Sequence, residues 1–375
     1  IKSPGIPDKA PLIQKLKENN IPVISEIEFA ARYTDAKIIA ITGSNGKTTT
    51  SLFAYHLLEN AGLNVGLAGN IGYSFAAQIA EEKKEYYVLE LSSFQLDGIK
   101  DFRANIAILL NITPDHLDRY DYKVENYIQS KFRIEMNQKE DDIFIHNSKD
   151  ENSISYLKNK EINHPTIQVD SSNINGHILS VGGHDFDMQK CSLKGEHNMF
   201  NATCAILAAQ SLGIKNENIQ AALETFVNVP HRLEMVAEIN GVQYINDSKA
   251  TNVDATYYAL KAMTRPVIWI AGGTDKGNDY SPIFPWAEKN VKALICMGMD
   301  NSKLLENFNP IIKNIEETQS AEEALERANI YAEEGDTVLL SPCCASFDLF
   351  NNYEHRGNLF KEAVLELNNK MKSRV

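Results

Sequence analysis

The run Lys37-Ile38-Ile39-Ala40-Ile41, followed at once by Thr42-Gly43-Ser44-Asn45-Gly46-Lys47-Thr48-Thr49, constrains this chain more than any other stretch. A short β-branched segment that stops at a Gly-rich turn and gives way to a helical pattern from Lys47 through Gly62 predicts strand, loop and helix. A buried strand of this kind belongs to a parallel sheet with helices over it, so the rest of the chain must supply further strands and their covers. Tyr86 to Leu91 and Ile106 to Leu110 meet that need, each apolar and each ending in polar residues.

At such a turn, glycines let backbone N–H groups approach an anion, the helix N-terminus favours negative charge, and Lys47 adds a fixed cation. Thr48 is then placed to offer its hydroxyl to Mg2+. Ile41 stands where the longer phosphate-loop pattern carries another glycine, and an ordinary strand-to-helix turn is the alternative. Gly43, Ser44, Asn45, Gly46, Lys47, Thr48 and Thr49, in this context, point to a bound nucleotide.

The charge balance sharpens this. With 37 Lys and Arg against 50 Asp and Glu, the net charge is -13, which repels nucleic acid and anionic membranes, so a phosphate ligand needs a local cluster of donors. Hydrophobic residues at 43% and charged residues at 23% fit a globular chain, and 375 residues predict two or three domains. No apolar run approaches the roughly 18 residues of a membrane span, and no basic-then-apolar leader is visible. Cys191, Cys204, Cys296, Cys343 and Cys344 are odd in number and lack paired metal-ligand spacing, so a reducing cytoplasm is expected. The opening, Ile1 through Pro7, reads as loop, and an upstream segment is expected to be missing.

From Asp141 to Leu193 short alternating pieces with Gly182-Gly183 predict a small antiparallel insert. A helix from His197 to Leu212 follows, and Asn228 to His231, with Pro230, reads as a linker with a boundary near 229. Beyond it, Val242–Ile245, Val267–Ala271, Ala293–Met297 and Thr337–Leu340 alternate with helical stretches, which predicts a second, doubly wound unit. The fold expected is therefore α/β: a central P-loop-type parallel sheet domain with an antiparallel insert, then a Rossmann-like C-terminal domain.

Glu90 ends one strand of the first sheet, His116 follows another, and Lys131 lies on a helical stretch. Glu90 closes Tyr86-Tyr87-Val88-Leu89-Glu90, where it is either a solvated or capping carboxylate or a ligand to a phosphate-bound metal. His116, in Thr113-Pro114-Asp115-His116, is by itself a capping or core group. Lys131, in Gln129-Ser130-Lys131-Phe132-Arg133, reads on spacing alone as a solvent-facing helix lysine.

Taken together, the motifs resemble the Mur ligase family along the whole chain. Gly43 to Thr49, Gly69-Asn70-Ile71-Gly72, Glu90 through Leu96 and Thr113 through Tyr120 resemble its central-domain signatures in order; Gly195-Glu196-His197-Asn198 with Asn201, and Pro230-His231-Arg232, resemble its adenine-side and hinge motifs. Asn246-Asp247-Ser248-Lys249-Ala250-Thr251-Asn252, Gly272 through Gly277, Ser341-Pro342 through Asp348, and Ser3-Pro4-Gly5 resemble the D-glutamate-adding branch.

That resemblance implies an ATP-dependent amide ligase with UDP-N-acetylmuramoyl-L-alanine and D-glutamate as substrates, working as a monomer. It implies residues 1–25 as the remnant of a UDP-binding domain, 26–228 as the ATP-binding domain and 229–375 as the amino-acid domain. Thr48 and Glu90 would serve one Mg2+, and His116 a second together with a carbamylated Lys131. Asn198, Asn201, Arg232 and Asp247 would contact ATP; Thr251, Lys276, Ser346, Phe347 and Tyr353 would bind D-glutamate, with Lys249 supporting transfer. Ser3, Pro4, Gly5, Asn70 and Ser92 would face the UDP-sugar. Asp247 as a turn residue, and Phe347 and Tyr353 as core aromatics, remain the plainer roles. A folylpolyglutamate synthetase-like ligase and a non-catalytic nucleotide-binding module are the rival functions.

Overall fold

The computed structural model describes every residue except 159, 194, 228, 229 and 373–375, and only the backbone of Asp118 and Lys372. Asn228 and Val229 of the expected linker thus lie outside the described residues. The chain divides into two compact units, Ile1–Val227 and Asn228–Val375.

In the first unit, β1 (Lys37–Thr42), β2 (Val65–Gly69), β3 (Tyr86–Glu90), β4 (Ile106–Leu109), β5 (Ile143–Asn147) and β6 (Thr166–Val169) form one sheet in the order β2-β3-β1-β4-β5-β6, every pair parallel. Successive side chains point to opposite faces, and both faces are covered. Ile39, Ile41, Val88 and Ile108 pack with Phe53, Leu57 and Ala205 on one side; Ile38, Ala40, Leu89 and Leu109 pack with Ile27, Phe75 and Phe132 on the other. This two-sided burial is why the strands read as continuous apolar runs rather than alternating ones.

The insert is smaller than expected. Residues 143–147 and 166–169 extend the main parallel sheet as β5 and β6, and only β7 (Ile174–Asn175), β8 (Ile178–Val181) and β9 (His184–Asp187) form the antiparallel piece. Gly182 and Gly183, at φ +56° and +77°, make the two-residue turn that joins β8 to β9. Leu179, Val181 and Phe186 bury against the helix Glu196–Ser211.

Among its described residues the second unit carries six strands rather than four: β10 (Glu234–Ile239), β11 (Val242–Asn246), β12 (Val267–Gly272), β13 (Val291–Met297), β14 (Asn314–Thr318) and β15 (Thr337–Cys343), ordered β10-β11-β15-β12-β13-β14. All pairs are parallel except β10 with β11, a hairpin turned by Asn240-Gly241 at φ +50° and +76°. In both sheets the parallel strands present their carboxyl ends together, the edge at which open α/β sheets bind ligands.

One buried carboxylate ties the start of the first unit to its sheet. Glu28, fully buried on the helix Glu26–Ala31, accepts at Oε2 from the backbone N–H groups of Lys100, Asp101 and Phe102 at 2.8, 3.0 and 2.9 Å, and at Oε1 from Arg32. Burial alone would raise its pKa, but these bonds outweigh it and hold the carboxyl below 4.5. A depressed folded value means that the stability it contributes is complete above the unfolded pKa and lost as pH falls through the folded one. Glu28→Gln should therefore cost about 2–3 kcal/mol in urea unfolding at pH 7, with the gap to the parent narrowing below pH 4.5. A gap unchanged at acid pH would show that ionisation plays no part.

Candidate functional site

The loop that follows β1 is fixed from the strand beside it. Ser44 N–H donates to Asn111 O at 2.9 Å, Asn45 N–H to Asn111 Oδ1 at 2.9 Å, and Asn111 Nδ2 donates back to Asn45 O at 3.1 Å. Ser44 Oγ donates to Thr113 O at 2.8 Å and lies 3.2 Å from Tyr127 Oη. A loop braced this way needs little rearrangement to receive an anion. Gly46, at φ +86°, caps the helix Lys47–Asn60, and a Cβ there would sit 2.6 Å from Asn201 Oδ1. Backbone conformation and space both demand glycine.

Two lysines converge on this loop. Lys47 Nζ donates to Gly43 O at 2.7 Å and to Ser44 O at 2.9 Å, and Lys131 Nζ donates to the same Gly43 O at 2.7 Å. The solvent-facing reading of Lys131 is overturned, since its exposure is 1%. The helix Val124–Phe132 turns Tyr127, Ile128 and Lys131 to one side, and that side is packed inward; Nζ lies 4.7 Å over the Tyr127 ring. Burial, then the nearby charge of Lys47, pushes the Lys131 pKa well down, opposed by Asp115, Asp97 and Glu90.

Glu90 ends β3 in the sheet position next to β1. It is buried; Oε1 accepts from Asn70 Nδ2 at 2.8 Å, and Oε2 has no hydrogen-bond partner. A buried carboxylate oxygen left open calls for a cation. Thr48, also buried, lies in the first turn of the helix after the loop. Among the described residues no three acidic, histidine or cysteine side chains gather as metal ligands. One carboxylate and one hydroxyl nevertheless suit Mg2+, which keeps waters and takes phosphate oxygens. His116 has φ +53°, is 45% exposed, lies edge-on to Phe94 at 5.2 Å and holds Nε2 at 3.6 Å from Asp115 Oδ2. Asp115, inside the Thr113–Tyr120 motif, bears electrostatically on both His116 and Lys131, a placement that residue spacing alone does not reveal.

Asn198 and Asn201 are buried on the helix Glu196–Ser211, and the contact of Asn201 with Gly46 sets them beside the loop. Ser92 is engaged as a helix cap, accepting from Gln95 N–H and donating to Gln95 Oε1. Ser3 and Gly5 are exposed, and Pro4 O accepts from Arg119 at 3.3 Å.

In the second unit the predicted residues cluster at the carboxyl ends of β11, β12 and β15. Asp247 is buried, accepts from Leu233 N–H at 3.1 Å and Ser341 Oγ at 2.9 Å, and has its pKa pushed up to about 7 by burial, against these two bonds and Arg232. Its backbone carbonyl also accepts the turn bond from Ala250 N–H at 2.9 Å. Lys249 Nζ lies 5.1 Å over the half-buried Tyr353 ring. Lys276 is exposed on a turn organised by Asp275, which accepts from Gly277 N–H, Asn278 N–H, Tyr280 Oη and Lys303 Nζ at 2.7–3.1 Å. Ser346 is buried, whereas Phe347, with 72% exposure, is no core aromatic. Thr251 follows Lys249, to whose carbonyl it donates, and precedes the cap Asn252 of the helix Val253–Ala262.

Residues 41–209 match the family model described as Mur ligase middle domain, and residues 231–344 match the one described as Mur ligase, glutamate ligase domain. The UDP-N-acetylmuramoylalanine–D-glutamate ligase of Christiangramia forsetii is 50% identical over 381 residues, covering 98% of this chain and 85% of that relative. The enzyme of the same description from Bacteroides fragilis is 50% identical over 378 residues with the same coverage. Among solved structures, MurF ligase from Thermotoga maritima in complex with ADP superposes with a TM-score of 0.71 at 17% identity, covering 91% of this chain and 84% of that one, a likeness of fold.

Gly46→Ala should lower ADP affinity at least tenfold in calorimetric titration, because the added methyl meets Asn201 and strains the loop's left-handed residue. Undiminished affinity would show that the turn does not hold the phosphates.

Proposed function

This chain belongs to the Mur ligase family, and from that premise we propose that it is the ATP-dependent ligase that joins D-glutamate to UDP-N-acetylmuramoyl-L-alanine for peptidoglycan precursor synthesis. The observation that carries the reading is the loop after β1, where Lys47 and Lys131 share one carbonyl beside a carboxylate with an open oxygen. A reaction that consumes ATP belongs in the cytoplasm, and no described helix is long and apolar enough to cross a membrane.

Amide formation from a carboxylate needs a better leaving group than oxide. The alanyl carboxylate oxygen bonds to the γ-phosphorus of ATP as the bridging P–O bond breaks, and ADP leaves with that electron pair. The D-glutamate amine then bonds to the acyl carbon and gives up a proton, and inorganic phosphate departs from the tetrahedral intermediate. No protein nucleophile is required, so the protein's part is alignment and charge neutralisation.

Backbone N–H groups of Gly43 to Thr49 and the Lys47 ammonium hold the phosphates; Thr48 and Glu90 would hold Mg2+. When bound, that ion neutralises charge on the β- and γ-phosphate oxygens. Asn198, Asn201, Arg232 and Asp247 contact the rest of ATP. Ser3, Pro4, Gly5, Asn70 and Ser92 receive the UDP-sugar. Lys276 pairs with the side-chain carboxylate of D-glutamate, with Thr251, Ser346, Phe347 and Tyr353 around it and Lys249 assisting transfer.

Lys131 as an ammonium cannot ligate a cation. Burial and the charge of Lys47 weaken its hold on the proton, which favours the free amine; that amine would bond to the carbon of CO2 and lose a proton to give a carbamate. That group's oxygens would join His116 in holding a second Mg2+. Lys131→Ala should lose activity that short carboxylic acids partly restore, and full activity in plain buffer would exclude the carbamate. The complete reaction is checked by following phosphate release. It should require UDP-N-acetylmuramoyl-L-alanine and D-glutamate together; equal release without either would be uncoupled ATP hydrolysis and would contradict the ligase reading, and no release at all would leave only a nucleotide-binding module.

A further inference from the structure

Arg356, in the first turn of the helix Tyr353–Lys372, has no exposed surface and is among the largest fully buried side chains. Buried arginines ordinarily face a carboxylate. This one spends its donors differently. Nε donates to Ser248 Oγ at 3.0 Å; Nη1 to Gly272 O at 3.2 Å and Cys344 O at 3.3 Å; Nη2 to Ser248 O at 2.9 Å and Cys344 O at 3.2 Å. All five N–H groups are used, and no acceptor is ionised. Burial lowers its pKa to about 10, with Cys344 and Asp348 opposing, so it stays charged at neutral pH.

The acceptors lie at the carboxyl ends of three adjacent strands: Ser248 just after β11, Gly272 closing β12, and Cys344 just after β15. Beyond those points run the segments that carry Lys249 and Thr251, Lys276, and Ser346 with Phe347. Gly273 shows how tight the arrangement is, since a Cβ there would meet Ala345 O at 2.2 Å and Arg356 Nη1 at 3.2 Å. A planar fork fixes the angles among its acceptors, which a lysine's single ammonium cannot do.

We propose that Arg356 is a positioning residue for the acceptor amino acid: its guanidinium clamps the three strand ends, sets the spacing of the side chains beyond them, and adds positive charge beneath a site for a dicarboxylate. The proposal rests on the D-glutamate reading of Lys276, Thr251 and Ser346. Asp247 is held by Leu233 and Ser341, not by Arg356, so nucleotide contacts are not expected to depend on the clamp.

The test uses the full chain. Arg356→Lys keeps the charge and loses the fork; it should raise the KM for D-glutamate at least tenfold while the KM for UDP-N-acetylmuramoyl-L-alanine and the Kd for ADP change less than twofold. Ser248→Ala removes the acceptor of Arg356 Nε, together with the bond that Ser248 Oγ donates to Tyr353 O at 2.8 Å, and leaves the cation, so it should raise the D-glutamate KM about threefold, and it serves if Arg356→Lys does not fold. A D-glutamate KM within twofold of the parent in the folded variants, or all constants worsening together with a fall in Tm, overturns the clamp. Lys276→Ala is run alongside: if it leaves the D-glutamate KM unmoved, the substrate reading fails, and that outcome is distinct from failure of the clamp.

Discussion

A single carbonyl oxygen, that of Gly43, accepts from two lysine side chains, and the first unit's chemistry depends on how firmly that carbonyl is aimed. The aim comes from the sheet. Asn111, at the end of the neighbouring β4, grips Ser44 and Asn45 through both backbone and side chain, so the turn is set by strand pairing and not by the ligand. Two lysine Nζ groups at one oxygen repel each other when both are charged, and burial together with that repulsion lowers the proton affinity of Lys131. The same position on spacing alone looked like a solvated helix lysine. What reversed it was packing, because Tyr127 and Ile128 carry the helix's inner face and Lys131 falls in register with Tyr127.

Much of the fold was legible because parallel strands buried on both sides leave uninterrupted apolar runs, and Ile38 to Ile41, Tyr87 to Leu89 and Ile106 to Leu109 are such runs. Strands at the margins were not. Asn314-Ile315-Glu316-Glu317-Thr318 is polar at four of five positions because β14 is an edge, and β10, the antiparallel edge of its sheet, has only Ile239 buried and a register shift between Met235 and Ala237. Its hairpin turn, Asn240-Gly241, is a strong local signal for the β10–β11 pair. Within the expected insert, Asp141 to Leu193, β5 and β6 are short and lie among polar residues, which masks their parallel pairing with the main sheet.

Candidate site residues divide the same way. Loop motifs with glycine, lysine and threonine announced themselves. Groups acting through a fold-dependent neighbour did not: Asn111 lies 66 residues from the loop it braces, and Arg356 lies 108 from Ser248. Both units solve a similar problem, since each fans its segments from the carboxyl ends of parallel strands and then locks them with one long-range polar side chain. In the first that side chain is a neutral amide, which pairs donor and acceptor. In the second it is a cation facing carbonyl dipoles, which also leaves a field behind.

The five cysteines are all free and buried, with Cys191 and Cys204 in the first unit and Cys296, Cys343 and Cys344 in the second. Burial raises the pKa of four of them, Cys204, Cys296, Cys343 and Cys344, which suppresses the reactive thiolate while the chain is folded. An alkylating reagent must therefore wait for local opening, and peptide-resolved labelling would clock the two halves independently. The molecule thus carries its own pair of unfolding reporters, with no dye or engineered residue required.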